Sequence, residues 1–171
     1  KINAVQKYLL KIPDKIPRIA AQQITLEQDC EAFLFFASSV IEIVKRQIND
    51  RFKIFDSKNV FYIYGLGKNL SDSGTQKRVK SVIFRYFTTP KQIKSRVNAK
   101  KSSLWKLQSL RNQAMHGNII RMRGKYLIFS YTVYDVNPRF QFSQKTQNPH
   151  KYFELLLDDL QKFTNEIREI I

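Results

Sequence analysis

Three side chains in one short segment have the properties that acid–base chemistry on a phosphodiester requires. The segment SLRNQAMHGN, from Ser109 to Asn118, contains Arg111, Asn112 and His116. A histidine titrates near neutral pH and can transfer protons, and an arginine is permanently charged and binds phosphate oxygens through paired N–H groups. RNA carries its own nucleophile, the 2′-hydroxyl. These residue types are therefore a candidate catalytic set for RNA cleavage that needs no metal.

The spacing of these residues limits what one chain can do. Asn112 and His116 are four residues apart and share a helical face, whereas Arg111 and His116 are five apart. Five residues correspond to a rotation of about 140° on a regular helix. Cleavage also needs both a base and an acid, and the segment has one histidine. One copy is therefore expected to be insufficient, so two copies would have to meet.

The segment lies in a long interval without acidic residues. The chain has 30 Lys and Arg against 14 Asp and Glu, and no acid occurs between Asp72 and Asp135. That interval contains 14 basic residues. A positive field of this size attracts polyanions, most commonly nucleic acid. The alternatives to nucleic-acid binding are a basic protein that its charge keeps soluble and a protein that is attracted to anionic lipid.

Several residues near the segment could contact RNA. Basic side chains flank it and are candidate phosphate contacts, namely Lys100, Lys101, Lys106, Arg121 and Arg123. Aromatic side chains could stack on unpaired bases, or could instead pack a hairpin on the helices, namely Trp105, Tyr126, Tyr131 and Tyr134. Stacking would favour single-stranded RNA.

With these residues the sequence resembles the HEPN superfamily, small helical domains that act as ribonucleases in prokaryotic toxin–antitoxin, CRISPR and abortive-infection systems. The family signature is Arg, four to six residues, then His, with Asn, Asp or His commonly after the Arg; here it reads RNQAMH. The resemblance implies a helical bundle with the motif at the end of a late helix. It also implies a homodimer in which two motifs form one composite site. One toxin branch has a Tyr two positions after the His, and Asn118 occupies that position here.

Two other interpretations stay open. The motif could be inert, with His116 stabilised as a cation by the helix dipole and Arg111 paired with an acid of the last helix. The chain could also be a non-catalytic module that binds RNA or a nucleotide, with an antitoxin or another defence protein as partner, or a purely structural domain.

Other kinds of site are not indicated. Gly65, Gly67 and Lys68 lack the first Gly and the Ser or Thr of a phosphate-binding loop, so ordinary loop glycines are expected. Asp158 and Asp159 do not form a catalytic carboxylate pair, because adjacent residues on a helix point in different directions. Cys30 and the two histidines are scattered, so no metal site and no cofactor are predicted, and His150, near a helix start, is expected at the surface.

The pattern of apolar residues predicts one mainly α-helical domain over residues 1–171, a helical bundle with a small β-hairpin before the C-terminal helix. A long helix is expected from Thr25 to about Asn49, with Thr25 and Gln28 as a capping box. Further helices are expected after Ser71–Ser73, from Pro90 to Val97, after Ser102 or Ser103 with a stop at Gly117, and from Pro149 with Asn148 as its cap. The apolar positions at helical spacing are expected to face the core. In the first long helix these are Leu26, Cys30, Phe33, Ala37, Val40, Val44 and Ile48. In the later helices they are Val79, Val82, Ile83, Tyr86 and Phe87, then Leu104, Leu107, Leu110 and Ala114, and finally Phe153, Leu156, Leu157, Leu160, Phe163, Ile167 and Ile170. The segment NVFYIYGLG fits a strand or a helical turn, and NIIRM with KYLIFSYTVYDV fits a hairpin.

The same sequence gives no sign of export or of a membrane span. Its most apolar run, from Ala32 to Ile41, is ten residues long, whereas a spanning helix needs roughly 20. The amino end has no apolar core of signal-peptide length. Cys30 has no partner within the chain, which is compatible with a reducing compartment. A soluble, cytoplasmic protein without a membrane partner is expected.

Overall fold

The computed structural model describes residues 2–56, 62–88, 104–114, 120–133 and 140–171. In these ranges the chain forms six helices and three strands. Their order is α1 (Ile2–Leu9), α2 (Ala20–Phe52), α3 (Ile63–Asn69), α4 (Gly74–Phe87), α5 (Leu104–Ala114), β1 (Ile120–Arg123), β2 (Tyr126–Val133), β3 (Phe140–Thr146) and α6 (Pro149–Ile170). The predicted fold class, mainly helical with a small antiparallel element before the last helix, is confirmed.

The long helix α2 has the predicted buried stripe but begins earlier than predicted. Its apolar positions at helical spacing are all buried, namely Leu26, Cys30, Phe33, Ala37, Val40, Val44 and Ile48. The predicted capping box is wrong, because Thr25 lies inside the helix and its hydroxyl donates to the Ala21 carbonyl at 3.1 Å. A helical threonine can bond in this way to the carbonyl four residues earlier. The alanines at 20 and 21 are strong helix formers and extend the helix towards its N-terminus.

Helix α4 matches its prediction closely. It follows Ser73 in extended conformation, ends at Thr88, and buries its predicted face, which consists of Val79, Val82, Ile83, Tyr86 and Phe87. No side-chain cap bond forms at Ser73. The predicted helix from Pro90 to Val97 lies outside the described residues.

Helix α3 covers the second part of the ambiguous segment NVFYIYGLG, since residues 63–69 are helical, and residues 59–61 of that segment lie outside the described residues. Gly65 and Gly67 therefore lie in a helix, and the expectation that they are loop glycines is wrong. A Cβ at Gly67 would come within 2.9 Å of the Ile83 Cγ2 atom, so glycine permits the close packing of α3 on α4.

The predicted hairpin is the first part of a three-stranded antiparallel sheet in the order β1-β2-β3. Arg123 pairs with Tyr126 across the turn, where Gly124 has φ +57°, a conformation that favours glycine. Strand β3 was not predicted. It pairs with β2 in a register in which Leu127 lies opposite Thr146 and Val133 lies opposite Phe140.

The chain divides into two compact units, which are described separately. Unit 1 comprises Lys1–Ser38 and Lys106–Asp158, and unit 2 comprises Ser39–Trp105 and Asp159–Ile171. The prediction of a single domain stays a prediction. No helix in the described ranges is long and apolar enough to cross a membrane.

The core of unit 1 contains an aromatic cluster from α2, β2 and α6. The Phe153 ring meets Phe33 edge-on at 4.8 Å between centroids, and Phe129 stacks on Tyr152 at 4.4 Å. The predicted cap of α6 is confirmed, because Asn148 Oδ1 accepts from the Lys151 backbone N–H at 2.8 Å. The contacts of Phe129 with Tyr152 and Phe153 attach one face of the sheet to the helices of unit 1.

The core of unit 2 joins α4 to the C-terminal part of α6. Phe163 packs edge-on against Tyr86 and Phe87, with ring centroids 5.6 and 5.1 Å apart. All predicted inward residues of α6 are buried except Ile170, which is half-buried.

Candidate functional site

The RNQAMH motif begins on the last turn of α5. Arg111 and Asn112 have helical backbone there, and their side chains lie outside the described part of the structure. The predicted inward residues Leu104, Leu107 and Leu110 are fully buried, so a packed helix leads into the motif. His116 and the predicted helix stop at Gly117 lie outside the described residues, so their placement stays a prediction.

The candidate phosphate contacts fall in three places. Lys100 and Lys101 lie outside the described residues. Lys106 is half-buried on the first turn of α5, and Arg121 and Arg123 are exposed on β1. The described structure therefore brings two of the five candidates onto one element, the first strand of the sheet.

The pleat of the sheet puts both arginines on one face, because alternate residues of a strand point to opposite sides. On β1 the buried Ile120 alternates with the exposed Arg121 and Arg123. The register pairs Arg121 with Ile128 and Ile128 with Lys145, so these positions share the same face. The opposite face carries Ile120, Leu127 and Phe129, all buried.

Tyr126 lies among the cations of this face. Its ring centroid is 4.8 Å from the Lys145 ammonium and 5.8 Å from the Lys125 ammonium, and Arg123 is its partner across β1 and β2. The term "basic sheet face" is used below for Arg121, Arg123, Lys125, Tyr126, Ile128 and Lys145. Sequence reasoning identified the two arginines and the tyrosine but not Lys145, because β3 was not predicted.

A carboxylate also contacts the edge of this sheet. Glu27 Oε1 accepts from the Met122 backbone N–H at 3.2 Å. Since β2 lies on the other side of β1, this bond satisfies a backbone donor that an edge strand would otherwise present to solvent. Glu27 thus anchors β1 to the N-terminal part of α2.

Two of the four cations of α4 in unit 2 have a different environment. Lys80 Nζ is 2.8 Å from Asp72 Oδ1, and Arg85 Nη1 is 2.7 Å from Glu166 Oε2. The other oxygen of Glu166 accepts from the Tyr86 hydroxyl at 2.8 Å. Burial, and then this hydrogen bond, raise the pKa of Tyr86 well above its ordinary value.

Other candidates of the sequence have structural roles. Trp105 is 7% exposed and therefore does not present a ring for stacking on bases. His150, expected at the surface, is half-buried, and its Nδ1 lies 2.8 Å from the Ile12 carbonyl oxygen. Cys30 is buried, and burial raises the pKa of its thiol.

Within the described residues, no three His, Cys, Asp or Glu side chains come together as metal ligands would. Tyr131 and Tyr134 contribute nothing to the described site, since the side chain of the first and the whole of the second lie outside it. No protein-family model, no curated protein and no solved structure matches this chain.

Proposed function

We propose that this chain is a metal-independent endoribonuclease of the HEPN type that cuts RNA at a composite site formed by two copies of the chain. The observation that carries the proposal is the position of Arg111 and Asn112 on the last turn of a buried helix, α5. The next described element along the chain is β1, with Arg121 and Arg123 exposed. A motif that follows a packed helix and precedes a cationic strand in the sequence supports a role in acting on a phosphodiester.

Each residue of the motif has one role in this proposal. His116 transfers protons, to the departing 5′-oxygen or from the attacking 2′-hydroxyl. Arg111 stabilises the negative charge that accumulates on the phosphorus oxygens in the transition state. Asn112, four residues before His116, orients the site. The 2′-oxygen forms a bond to phosphorus as the bond to the 5′-oxygen breaks, which leaves a 2′,3′-cyclic phosphate.

A homodimer supplies what one motif lacks. Base and acid are two different groups, and two facing motifs provide two histidines and two arginines. The resemblance to HEPN proteins supports this arrangement and a place in toxin–antitoxin or phage defence. A partner antitoxin and a cytoplasmic location belong to the same proposal.

The test is cleavage of end-labelled RNA in EDTA, with mass spectrometry of the products. We expect products that end in 2′,3′-cyclic phosphate, and we expect His116→Ala and Arg111→Ala each to slow cleavage by at least about 100-fold. His150→Asn is the matched control, because it removes the other histidine and keeps a donor near the Ile12 carbonyl. Unchanged cutting by both motif variants overturns the assignment.

A second candidate function is a non-catalytic module that binds RNA or a nucleotide. The observation that favours it is the basic sheet face, which carries Arg121, Arg123 and Lys145 and needs no catalytic group to bind a polyanion. This function predicts salt-sensitive RNA binding without cleavage.

A further inference from the structure

We propose that the basic sheet face binds single-stranded RNA, with a base stacked on Tyr126 and phosphates held by the surrounding cations. The choice of RNA as the polyanion rests on the proposed function. The binding surface rests on the geometry of the sheet and does not depend on cleavage.

One face of the sheet packs into the core of unit 1, and the described side chains of the other face are exposed or half-buried. Leu127 and Phe129 point into the core, where Phe129 stacks on Tyr152. Ile128, between these two residues, points to the opposite face. The cations Arg121, Arg123 and Lys145 are exposed on that opposite face. Charged side chains on an outer face keep it soluble, but they do not explain an aromatic ring among them at the start of β2.

Charge complementarity favours a polyanion on this face. None of the three strands contains Asp or Glu in its sequence, so the strands themselves add no negative charge to this face. Glu27, the carboxylate that contacts β1, is bound to a backbone N–H at the strand edge. A group of exposed cations on one face is an electrostatic footprint of nucleic-acid binding.

Tyr126 provides the contact that distinguishes a single strand from other polyanions. Lysine ammonium groups lie over its ring at 4.8 and 5.8 Å. A cation–π contact at a solvent-accessible site is weaker than the stacking of a base on an aromatic ring. An incoming base can therefore replace Lys145 over the ring, and the released ammonium can then contact a phosphate.

The dimensions of the face indicate a short footprint on an unpaired strand. Three strands about 4.8 Å apart span about 10 Å from Arg121 on β1 to Lys145 on β3. That distance corresponds to about three stacked nucleotides at about 3.4 Å each. A base in a duplex has both faces covered by its neighbours, so stacking on Tyr126 requires an unpaired base.

The experiment uses fluorescence anisotropy of the full chain with a fluorescein-labelled 2′-O-methyl RNA 12-mer, which cannot be cut because its 2′-hydroxyls are blocked. An abasic 12-mer of the same charge is the second probe. We expect Tyr126→Leu to raise the Kd for the RNA at least about fivefold and to leave the Kd for the abasic strand nearly unchanged. Tyr126→Phe keeps the ring and should bind as the parent does.

Salt dependence tests the cations separately. Each phosphate contact contributes about 0.7 to the slope of log K against log salt for a single strand. Lys145→Gln and Arg123→Gln should each reduce the slope by about that amount. Lys7→Gln, which removes an exposed cation from α1, should leave it unchanged. Far-UV circular dichroism identifies any variant that does not fold. Such a variant is set aside, and the folded variants then test whether the basic sheet face binds the RNA.

Several results would overturn the proposal. Equal affinity of parent and Tyr126→Leu for the RNA, with no change of slope in the two charge variants, excludes this face. Binding to phosphatidylserine vesicles but not to the 12-mer identifies it as a lipid surface instead. Failure of the ribonuclease proposal gives a different result, namely intact RNA in EDTA together with Tyr126-dependent binding of the 12-mer.

Discussion

The basic sheet face of unit 1 and helix α4 of unit 2 take most of their cations from the same acid-free interval of the sequence, but the structure surrounds them differently. On α4, Lys80 and Arg85 meet the carboxylates of Asp72 and Glu166. On the sheet, Lys125 and Lys145 instead lie over the ring of Tyr126. These two cations of α4 thus take part in ion pairs, whereas the two lysines of the sheet face frame a tyrosine ring.

The difference shows that an interval without acids along the chain need not be a surface without acids. Glu166 lies 81 residues after Arg85, and the packing of α6 on α4 brings it within 2.7 Å. A sheet pairs segments that are close in sequence, so its strands bring few acids from elsewhere. The three strands of the sheet contain no Asp or Glu of their own.

The largest expected effect distinguishes the two faces of the sheet. Phe129→Ala removes a fully buried ring that contacts Tyr152 and Phe153, and such a change in a core costs about 3–5 kcal/mol. The free energy of unfolding in urea, followed by circular dichroism, measures it. We also expect RNA binding to weaken, because the outer face depends on this packing.

Ile128→Ala is the matched control, since it changes the next residue of the same strand on the opposite, half-buried face. Its expected cost is about 1 kcal/mol, from partial burial and lower strand propensity. Equal costs for the two variants would contradict the assignment of inner and outer faces.

Much of the helical fold could be predicted because periodicity and capping residues agree in the same segments. Helix α4, with its apolar stripe, lies between Ser73 and Thr88. Helix α6 begins at Pro149, directly after its cap residue Asn148. The predicted start of α2 was wrong at Thr25, because its hydroxyl can bond within a helix as well as at the cap. The segment that forms α3 was ambiguous because seven residues span barely two turns.

The site could be predicted only in part, for a different physical reason. A helical motif is visible as spacing within one segment, so α5 and the positions of Arg111 and Asn112 on it followed from the sequence. The contribution of Lys145 depends on which strands pair. Strand β3, FQFSQKT, is mostly polar after its two phenylalanines, and its pairing with β2 gives no signal within the strand itself.

A loss of stability of intermediate size is expected from the removal of Glu166, the carboxylate of α6 that contacts α4. Glu166→Ala removes the acceptor of the Tyr86 hydroxyl and the partner of Arg85. We expect a loss of about 1–2 kcal/mol, mainly from the hydrogen bond of the buried tyrosine, because the ion pair is partly exposed to solvent and therefore screened. Urea unfolding measures the loss, and Glu169→Ala, an exposed acid on the same helix, is the control. A loss as large in the control would mean that Glu166 contributes only as one more surface charge.

The smallest effect is expected from a cation that has an acid beside it. Lys80 Nζ donates to Asp72 Oδ1 and to the Leu70 carbonyl, at 2.8 and 3.1 Å. These bonds hold the ammonium against its own helix cap, so Lys80→Gln should change the affinity for the 2′-O-methyl 12-mer less than about twofold and leave its salt slope unchanged. Lys145→Gln, in the same anisotropy titration, should reduce that slope. If the two lysine variants lowered affinity and slope equally, RNA would respond to the total charge of the chain, and the contrast between the sheet and α4 would have no role in binding.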